Sequence, residues 1–187
     1  TIISDLFGHN FLLADQEAST SAKSFWQHTG LGISSRQAAI SLNKEKSPSH
    51  IKGKEARSII RKRISKIYNC DDSNISLHSS GMAALTAAIQ ITNQLRPNKP
   101  TFQIGFPYVD VLKLPQIIFN GGILLQETNP IYISNQLDIY KPSAIIVETP
   151  SNPLLECIDV ITISRLAHER GIPLIVDDTI GSSINID

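Results

Sequence analysis

Short runs of β-branched and apolar residues alternate with longer helical stretches through the second half of the chain. The spacing predicts strands over residues 74–78, 101–106, 122–126, 143–148 and 172–177. It predicts helices over residues 81–94, 111–119 and 160–170. Because strand and helix alternate, this half of the chain is constrained to an α/β fold, a mainly parallel sheet with helices on both faces.

The first part of the chain has a different pattern. The first fifty residues show no sustained hydrophobic period and predict an extended arm with one short helix around residues 36–42. Residues 44–54 are polar and predict a loop. Apolar residues at helical spacing over residues 54–68 predict an amphipathic helix with a solvated basic face. We therefore expect an N-terminal arm and loop over residues 1–53 and an α/β domain over residues 54–187.

Composition narrows the classes of protein. The chain has 187 residues, of which 41% are hydrophobic, and a formal net charge of zero, as in globular proteins rather than disordered ones. We expect no membrane segment and no nucleic-acid partner, because there is neither a long apolar run nor a basic excess. Two cysteines without metal-ligand spacing predict a reducing, cytoplasmic location. The chain opens on Thr1 and stops after a predicted strand, so we expect a fragment of a longer protein.

Ligands of open α/β sheets bind beyond the carboxyl ends of the strands, and four predicted strand ends carry reactive residue types. These are His78-Ser79-Ser80-Gly81-Met82, Phe106-Pro107-Tyr108, Glu148-Thr149-Pro150-Ser151-Asn152 and Asp177-Asp178-Thr179. Together they offer hydroxyls, a glycine, an aromatic ring, an amide and carboxylates to one edge of the sheet.

The first of these clusters precedes an alanine-rich helix. Free N–H groups at a helix N-terminus suit a phosphate, and Gly81 lets the backbone approach it closely. A serine there that only caps the helix is an equally good interpretation. The segment lacks the Gly-Lys-Ser/Thr ending of a Walker A loop, and Leu77 stands where a nucleophile elbow needs glycine. Gly30-Leu31-Gly32 lacks the third glycine of a dinucleotide fingerprint.

The other clusters each allow more than one role. A carboxylate after residues 172–176 can hold Mg²⁺, bind a cationic ring nitrogen, or cap the following turn, and Asp177 and Asp178 both qualify. Tyr108 can be a packing residue, and Asn152, which lies between two prolines, can be a turn residue.

Three motifs taken in order resemble the cysteine/methionine-metabolism family of pyridoxal-phosphate enzymes. They are Ser79-Ser80-Gly81-Met82-Ala83-Ala84, Glu148-Thr149-Pro150-Ser151-Asn152-Pro153-Leu154 and Ile175-Val176-Asp177-Asp178-Thr179. The stretches Phe25-Trp26-Gln27-His28-Thr29-Gly30, Gly32-Ile33-Ser34-Ser35-Arg36 and Gly105-Phe106-Pro107-Tyr108-Val109-Asp110 look most like the fungal cystathionine γ-synthase branch. The resemblance implies the large domain of fold-type I (aspartate aminotransferase-like) enzymes.

The resemblance also implies roles for single residues around pyridoxal 5′-phosphate. Gly81 and Met82, with Ser80, would bind the phosphate. Tyr108 would stack on the pyridine ring, and Asp177 would pair with the ring nitrogen and keep it protonated. Two further residues, Asn152 and Thr179, would make supporting contacts. Arg36 would reach the phosphate of a neighbouring subunit, which implies a homo-oligomer.

Departures from the family pattern affect the expected activity. Tyr108 is followed by Val109-Asp110 instead of the usual Gly-Gly, and Asp178 replaces an asparagine. The Schiff-base lysine of the family is not in this chain, so we expect no turnover from the chain alone. For the whole enzyme the resemblance implies amino-acid substrates and γ-replacement of O-acyl-homoserine by cysteine. The alternatives are a cystathionine lyase or homoserine sulfhydrylase, an inactive fragment or pseudoenzyme, and a Mg²⁺-nucleotide-binding domain.

Overall fold

The computed structural model describes residues 2–4, 10–42 and 50–185. Contacts divide the chain into two compact units, Thr1–Ser79 and Ser80–Asp187. The first unit contains the antiparallel strands β1 (Ile2–Ser4) and β2 (Asn10–Leu12), the helices α1 (Ser19–Thr29), α2 (Ser35–Ser41) and α3 (His50–Ile67), and a 3₁₀ turn (Asp72–Asn74).

Two predicted helices of the first unit are present. The short helix expected around residues 36–42 is α2, which begins where the Ser34 hydroxyl accepts a hydrogen bond from the Gln37 amide. The amphipathic helix expected over residues 54–68 is α3, but it begins at His50. The predicted loop is therefore wrong over residues 50–54, and residues 44–49 of that prediction lie outside the described residues.

Two other features of this unit differ from the predictions. Helix α1 lies within the predicted extended arm, and it ends on Gly30, whose φ of 65° is left-handed. This helix was not predicted because its many serine and threonine residues leave no regular spacing of hydrophobic residues. The strand predicted over residues 74–78 is absent from the described sheets. A 3₁₀ turn over Asp72–Asn74, started where the Asp71 carboxylate accepts a hydrogen bond from the Ser73 amide, precedes this segment, and residues 75–78 belong to no helix or strand.

The second unit is built on four parallel strands. In chain order its elements are α4 (Gly81–Leu95), β3 (Thr101–Ile104), α5 (Val109–Ile118), β4 (Gly122–Leu125), α6 (Pro130–Tyr140), β5 (Ala144–Glu148), α7 (Val160–His168), β6 (Leu174–Asp177) and the short α8 (Ser182–Asn185). The strand order is β4-β3-β5-β6, and all three pairings are parallel. The predicted α/β architecture is confirmed.

Successive residues of β5 face opposite sides of the sheet and enter two separate cores. Ile145 and Val147 pack with residues of α6 and α7, whereas Ile146 packs with residues of α4 and α5. All three side chains are fully buried. The continuous apolar sequence of the strand therefore follows from helices on both faces.

Helix α6 was not predicted from the sequence. Asn129 caps it, with its side-chain oxygen accepting hydrogen bonds from the Ile131 and Tyr132 amides, and Pro130 occupies the first helical position. Ile133 and Leu137 of this helix are fully buried against the sheet. The asparagine-proline pair indicates a helix start in the sequence. Asparagine is a common helix cap, and proline suits the first helical position because the N–H that it lacks has no partner within the helix there.

Candidate active site

Strands β3, β5 and β6 bring their carboxyl ends to one edge of the sheet. Ile104 pairs with Val147 in the register, and Glu148 pairs with Asp177. The Thr149 amide extends the second pairing by donating to the Asp177 carbonyl oxygen at 3.0 Å. Residues that immediately follow these strands are therefore neighbours in space.

A cavity of about 420 Å³ opens at this edge, within the second unit. It is lined by Ser80, Gly81, Met82, Leu85, Tyr108, Val111, Glu148, Asn152, Asp177, Thr179 and Ile180. Seven residues singled out from the sequence are in this lining: Ser80, Gly81, Met82, Tyr108, Asn152, Asp177 and Thr179. Their shared cavity is the main structural observation about the site.

The N-terminus of α4 forms one wall of the cavity. The Ser80 hydroxyl accepts a hydrogen bond from the Ala83 amide at 3.1 Å, and the Ser80 carbonyl oxygen accepts one from the Ala84 amide at 3.1 Å. Ser80 therefore caps the helix, which agrees with the interpretation of this serine as a helix cap. The Gly81 and Met82 amides precede the first intrahelical bond and, with the helix dipole, favour an anion.

Gly81 is not required by packing or by backbone conformation. A Cβ atom added there would meet no other protein atom within 4 Å. The residue is also absent from the glycines with positive φ, such as Gly105 at 81°. Because Gly81 lines the cavity, the missing side chain leaves room for a group bound close to the backbone.

Tyr108 lies in the loop after β3, immediately before α5. Its side chain is 40% exposed, and its amide donates a hydrogen bond to Oε2 of Glu148 at 2.6 Å. Its hydroxyl is hydrogen-bonded to Asp110, and this bond together with the Asp110 charge raises the pKa of Tyr108 above its ordinary value. The phenol is therefore held in its protonated form.

Asp177 ends β6 and organises the turn that follows. Its Oδ1 accepts hydrogen bonds from both the amide and the hydroxyl of Thr179. Both hydrogen bonds end on Oδ1. Oδ2 accepts no hydrogen bond from the described residues, so it can accept one from a group bound in the cavity. Of the two carboxylates considered, Asp177 is thus the one that both caps the turn and lines the cavity.

Glu148 was overlooked as a site residue in the sequence. It ends the central strand, is only 5% exposed, and accepts a hydrogen bond from the amide of Tyr108. Burial raises the pKa of Glu148, the Tyr108 hydrogen bond lowers it, and the nearby Asp177 charge raises it. The sequence feature that could have identified Glu148 as a site residue is its position at the start of the Glu-Thr-Pro-Ser-Asn-Pro motif.

Arg36 is the predicted site residue that this cavity does not include. It lies in the first turn of α2, in the first unit, and its side chain is exposed. Its role at a neighbouring subunit's phosphate stays a prediction. Asn152 is partly buried in the loop after β5, and its amide contacts Glu148.

Neither a metal centre nor a membrane span occurs in the described part of the chain. No group of three or more histidine, cysteine, aspartate or glutamate side chains among these residues is arranged to hold a metal ion. Within the same residues, no helix combines the length and apolarity needed to cross a bilayer.

The sheet order, the capped helix and the strand-end cavity define part of the large domain of a fold-type I pyridoxal-phosphate enzyme. The sequence model of the Cys/Met metabolism PLP-dependent enzymes matches residues 14–187, and the chain belongs to this family. Pyridoxal phosphate is the family's cofactor.

Relatives and a solved structure agree with this assignment. The chain is 27% identical to an L-2-amino-4-chloropent-4-enoate dechlorinase/desaturase of Streptantibioticus cattleyicolor, over 92% of this chain and 37% of the relative. It is 31% identical to the cystathionine γ-synthase of Neurospora crassa, over 65% of this chain and 21% of that protein. The crystal structure of metB from Corynebacterium glutamicum has a TM-score of 0.50 and 25% identity, covering 56% of this chain and 28% of that one. The chain thus spans well under half the length of these relatives.

Proposed function

We propose that the strand-end cavity binds pyridoxal 5′-phosphate. The observation that carries the proposal is that residues from four separate segments of the sequence line one cavity. Gly81 and Met82 would bind the phosphate through their amides, with Ser80 beside them. Tyr108 would cover one face of the pyridine ring.

The chemistry of the remaining residues fits the same ligand. Oδ2 of Asp177 would accept a hydrogen bond from the protonated ring nitrogen, while Thr179 holds Oδ1. A carboxylate favours the charged form of a nearby cation, so Asp177 would keep that proton on the ring. Asn152 would contact the ring or the substrate from the loop after β5. Open space at Gly81 supports close approach of the phosphate.

The protein residues bind and orient, and the cofactor supplies an electron sink for substrate carbanions. Asp177 maintains that sink by holding a proton at the ring nitrogen. The phenol of Tyr108 would stay neutral, because its bond to Asp110 opposes ionisation. Since that bond uses the only O–H proton, the phenol oxygen would act as a hydrogen-bond acceptor at the cavity mouth.

For the whole enzyme we propose γ-replacement of an O-acyl-homoserine by cysteine, in a cytoplasmic homo-oligomer. The support is the similarity to fungal cystathionine γ-synthases such as that of Neurospora crassa. The cystathionine lyase and homoserine sulfhydrylase reactions remain the competing proposals, since relatives in the family differ in the reaction that their names describe.

For the 187-residue chain alone we propose cofactor binding without turnover. Among the described residues that line the cavity there is no lysine. A binding or assembly module without catalysis is therefore the second candidate function for the chain by itself.

Ligand titration of the chain tests the binding proposal. Pyridoxine 5′-phosphate is the suitable probe, because its alcohol replaces the aldehyde that reacts with surface lysines. We expect saturable binding, competition by inorganic phosphate, and NMR shifts at the Gly81 and Met82 amides. Shifts confined to another surface would overturn the proposal.

The reaction is tested in the whole protein that contains this segment. It would be supplied with O-acyl-homoserine and cysteine, with O-acyl-homoserine and sulfide, or with cystathionine alone. Fastest turnover in the first mixture supports γ-replacement, whereas fastest turnover in either of the others replaces it by the corresponding alternative.

A mixing experiment tests the proposed role of Arg36 across subunits. The whole protein would be prepared as Arg36→Ala and as Asp177→Ala, both expected to have low activity. If each site combines residues of two subunits, co-refolding should restore activity to about a quarter of wild type, because half the dimers are mixed and have one intact site. No restoration would contradict the shared site.

A further inference from the structure

Glu148 is the buried carboxylate at the centre of the site, and the proposed cofactor contacts do not use it. It lies at the end of β5, the strand that has β3 on one side and β6 on the other. Its side chain lines the cavity but is only 5% exposed. Its partners must therefore be sought in the protein rather than in solvent.

Two loops converge on this carboxylate through their backbones. The Tyr108 amide, from the loop after β3, donates to Oε2 at 2.6 Å. The backbone amide of Asn152, from the loop after β5, also acts on Glu148 and lowers the pKa of its carboxyl group. Hydrogen bonds to an ionised acceptor are shorter and stronger than those between neutral groups, which agrees with the 2.6 Å distance.

This arrangement has a cost for the folded protein. Burying a carboxylate is unfavourable unless it is paired, and the charged group that acts on Glu148 among the described residues is Asp177, another carboxylate. A glutamine would fill the same volume without the buried charge. A buried carboxylate beside a cavity is more typical of a functional site than of a packing position.

We propose that Glu148 is a positioning residue that holds the amides of Tyr108 and Asn152 and so orients the two side chains facing the pyridine ring. The inference rests on the proposed pyridoxal-phosphate site. Glu148 itself does not need to touch the cofactor. The phosphate-binding amides of α4 lie on a different wall of the cavity and have no hydrogen bond to Glu148 among the described residues.

Tyr108 and Asn152 would contact the pyridine ring, whereas the α4 amides would bind the phosphate. A change at Glu148 should therefore affect the binding of the ring and not the binding of the phosphate. Glu148→Gln preserves volume and removes the charge, and Glu156→Gln makes the same change at an exposed position of the loop after β5. Each variant and the wild type would be titrated with pyridoxine 5′-phosphate and, separately, with inorganic phosphate. The amide protons of Tyr108 and Asn152 would be followed by NMR.

In Glu148→Gln we expect about tenfold weaker binding of pyridoxine 5′-phosphate and phosphate binding within about twofold of wild type. The Tyr108 amide proton should move upfield and exchange about tenfold faster, with an unchanged or higher Tm. Glu156→Gln should match the wild type in every measurement. Equal loss of both ligands would show a structural role only, and unchanged binding of pyridoxine 5′-phosphate would overturn the proposal.

Two further outcomes are separable. If Glu148→Gln does not fold, Glu148→Asp decides, because its carboxylate is drawn back by one methylene and should give the same loss of ring binding without loss of phosphate binding. Wild-type affinity for both ligands in that variant would overturn the proposal. If the wild type fails to bind pyridoxine 5′-phosphate, the proposed function fails, while the amide measurements still decide whether Glu148 holds the two loops.

Discussion

Glu148 and Asp177 are direct partners in the parallel register of β5 and β6, so two carboxylates end neighbouring strands beside one cavity. The two carboxylates have different roles in the loops: Glu148 accepts a hydrogen bond from the Tyr108 amide in the loop after β3, and Asp177 holds the turn at Thr179. Burial raises the pKa of Glu148, and the neighbouring Asp177 charge also raises it.

Removing the Asp177 charge should weaken binding of a protonated ring. Asp177→Asn keeps an oxygen for the Thr179 amide, so the turn should persist while affinity for pyridoxine 5′-phosphate falls about tenfold. In the whole protein, Asp177→Ala should reduce kcat at least about a hundredfold. Asp178→Asn is the matched control and should bind normally. Near-normal turnover of Asp177→Ala would contradict the assignment of the ring-nitrogen partner.

Adding a methyl group at Gly81 should separate binding from stability. Because the added Cβ meets no protein atom, Gly81→Ala should fold with an unchanged or slightly higher Tm, alanine being the better helix former by about 0.5–1 kcal/mol. Affinity for inorganic phosphate should fall at least about tenfold. Gly53→Ala, in α3, should change the phosphate affinity little. Normal phosphate binding by Gly81→Ala would place the anion elsewhere.

Substitutions at Ser80 distinguish its capping role from its place in an anion site. Ser80→Ala should lower the free energy of unfolding by about 1 kcal/mol, because the Ala83 amide loses its acceptor. Ser80→Asn and Ser80→Asp both retain a cap and should keep wild-type stability. Their phosphate affinities should differ, with Ser80→Asp at least about tenfold weaker because its charge repels the anion. Equal affinities in these two variants would argue against a phosphate at this helix end.

The hydroxyl of Tyr108 should titrate differently once Asp110 is changed. Asp110→Ala removes both the hydrogen bond and the charge that raise the pKa of Tyr108, so this pKa should fall towards its ordinary value near 10. Ultraviolet titration of the tyrosines measures it, with Tyr108→Phe identifying which transition belongs to this residue. A pKa of Tyr108 that is unchanged in Asp110→Ala would show that the Asp110 contact is absent in solution.

Arg170 and Asp138 should make a pH-dependent contribution to stability. Arg170 donates from Nε to Oδ1 of Asp138 at 2.7 Å and from Nη2 to Oδ2 at 3.0 Å, joining the turn after α7 to the last turn of α6. The hydrogen bond from Arg170 lowers the pKa of Asp138, so the contribution is present above the unfolded-state value of about 3.9 and is lost as pH falls through the lower folded-state pKa.

Thermal unfolding at several pH values checks this contribution. Asp138→Asn should lower Tm slightly at about pH 7, by less than about 5 °C because Asp138 is exposed, and the difference from wild type should close in strong acid. Glu169→Gln is the control, since its oxygen lies 3.7 Å from Nη1 of Arg170 and should contribute less. A difference that grows on acidification would contradict the lowered pKa of Asp138.

Sequence patterns predicted the four strands of the sheet but not all of the helices. β5 was predicted because β-branched residues fill it and both of its faces are buried. Helix α6 was missed because its apolar residues have a weak period and it begins at a proline. The strand expected over residues 74–78 had the right alternation but no neighbouring strand among the described residues with which to pair.

By itself the sequence determined the local features of this protein: the apolar strands, the helix that begins after Ser80, and the polar residues that follow each strand. These depend on side-chain type and spacing along the chain. Only the tertiary structure decided that Glu148 belongs to the site, because its burial and its hydrogen bond to Tyr108 join residues forty positions apart. Parallel pairing of β3, β5 and β6 makes them neighbours, and no local pattern encodes that contact.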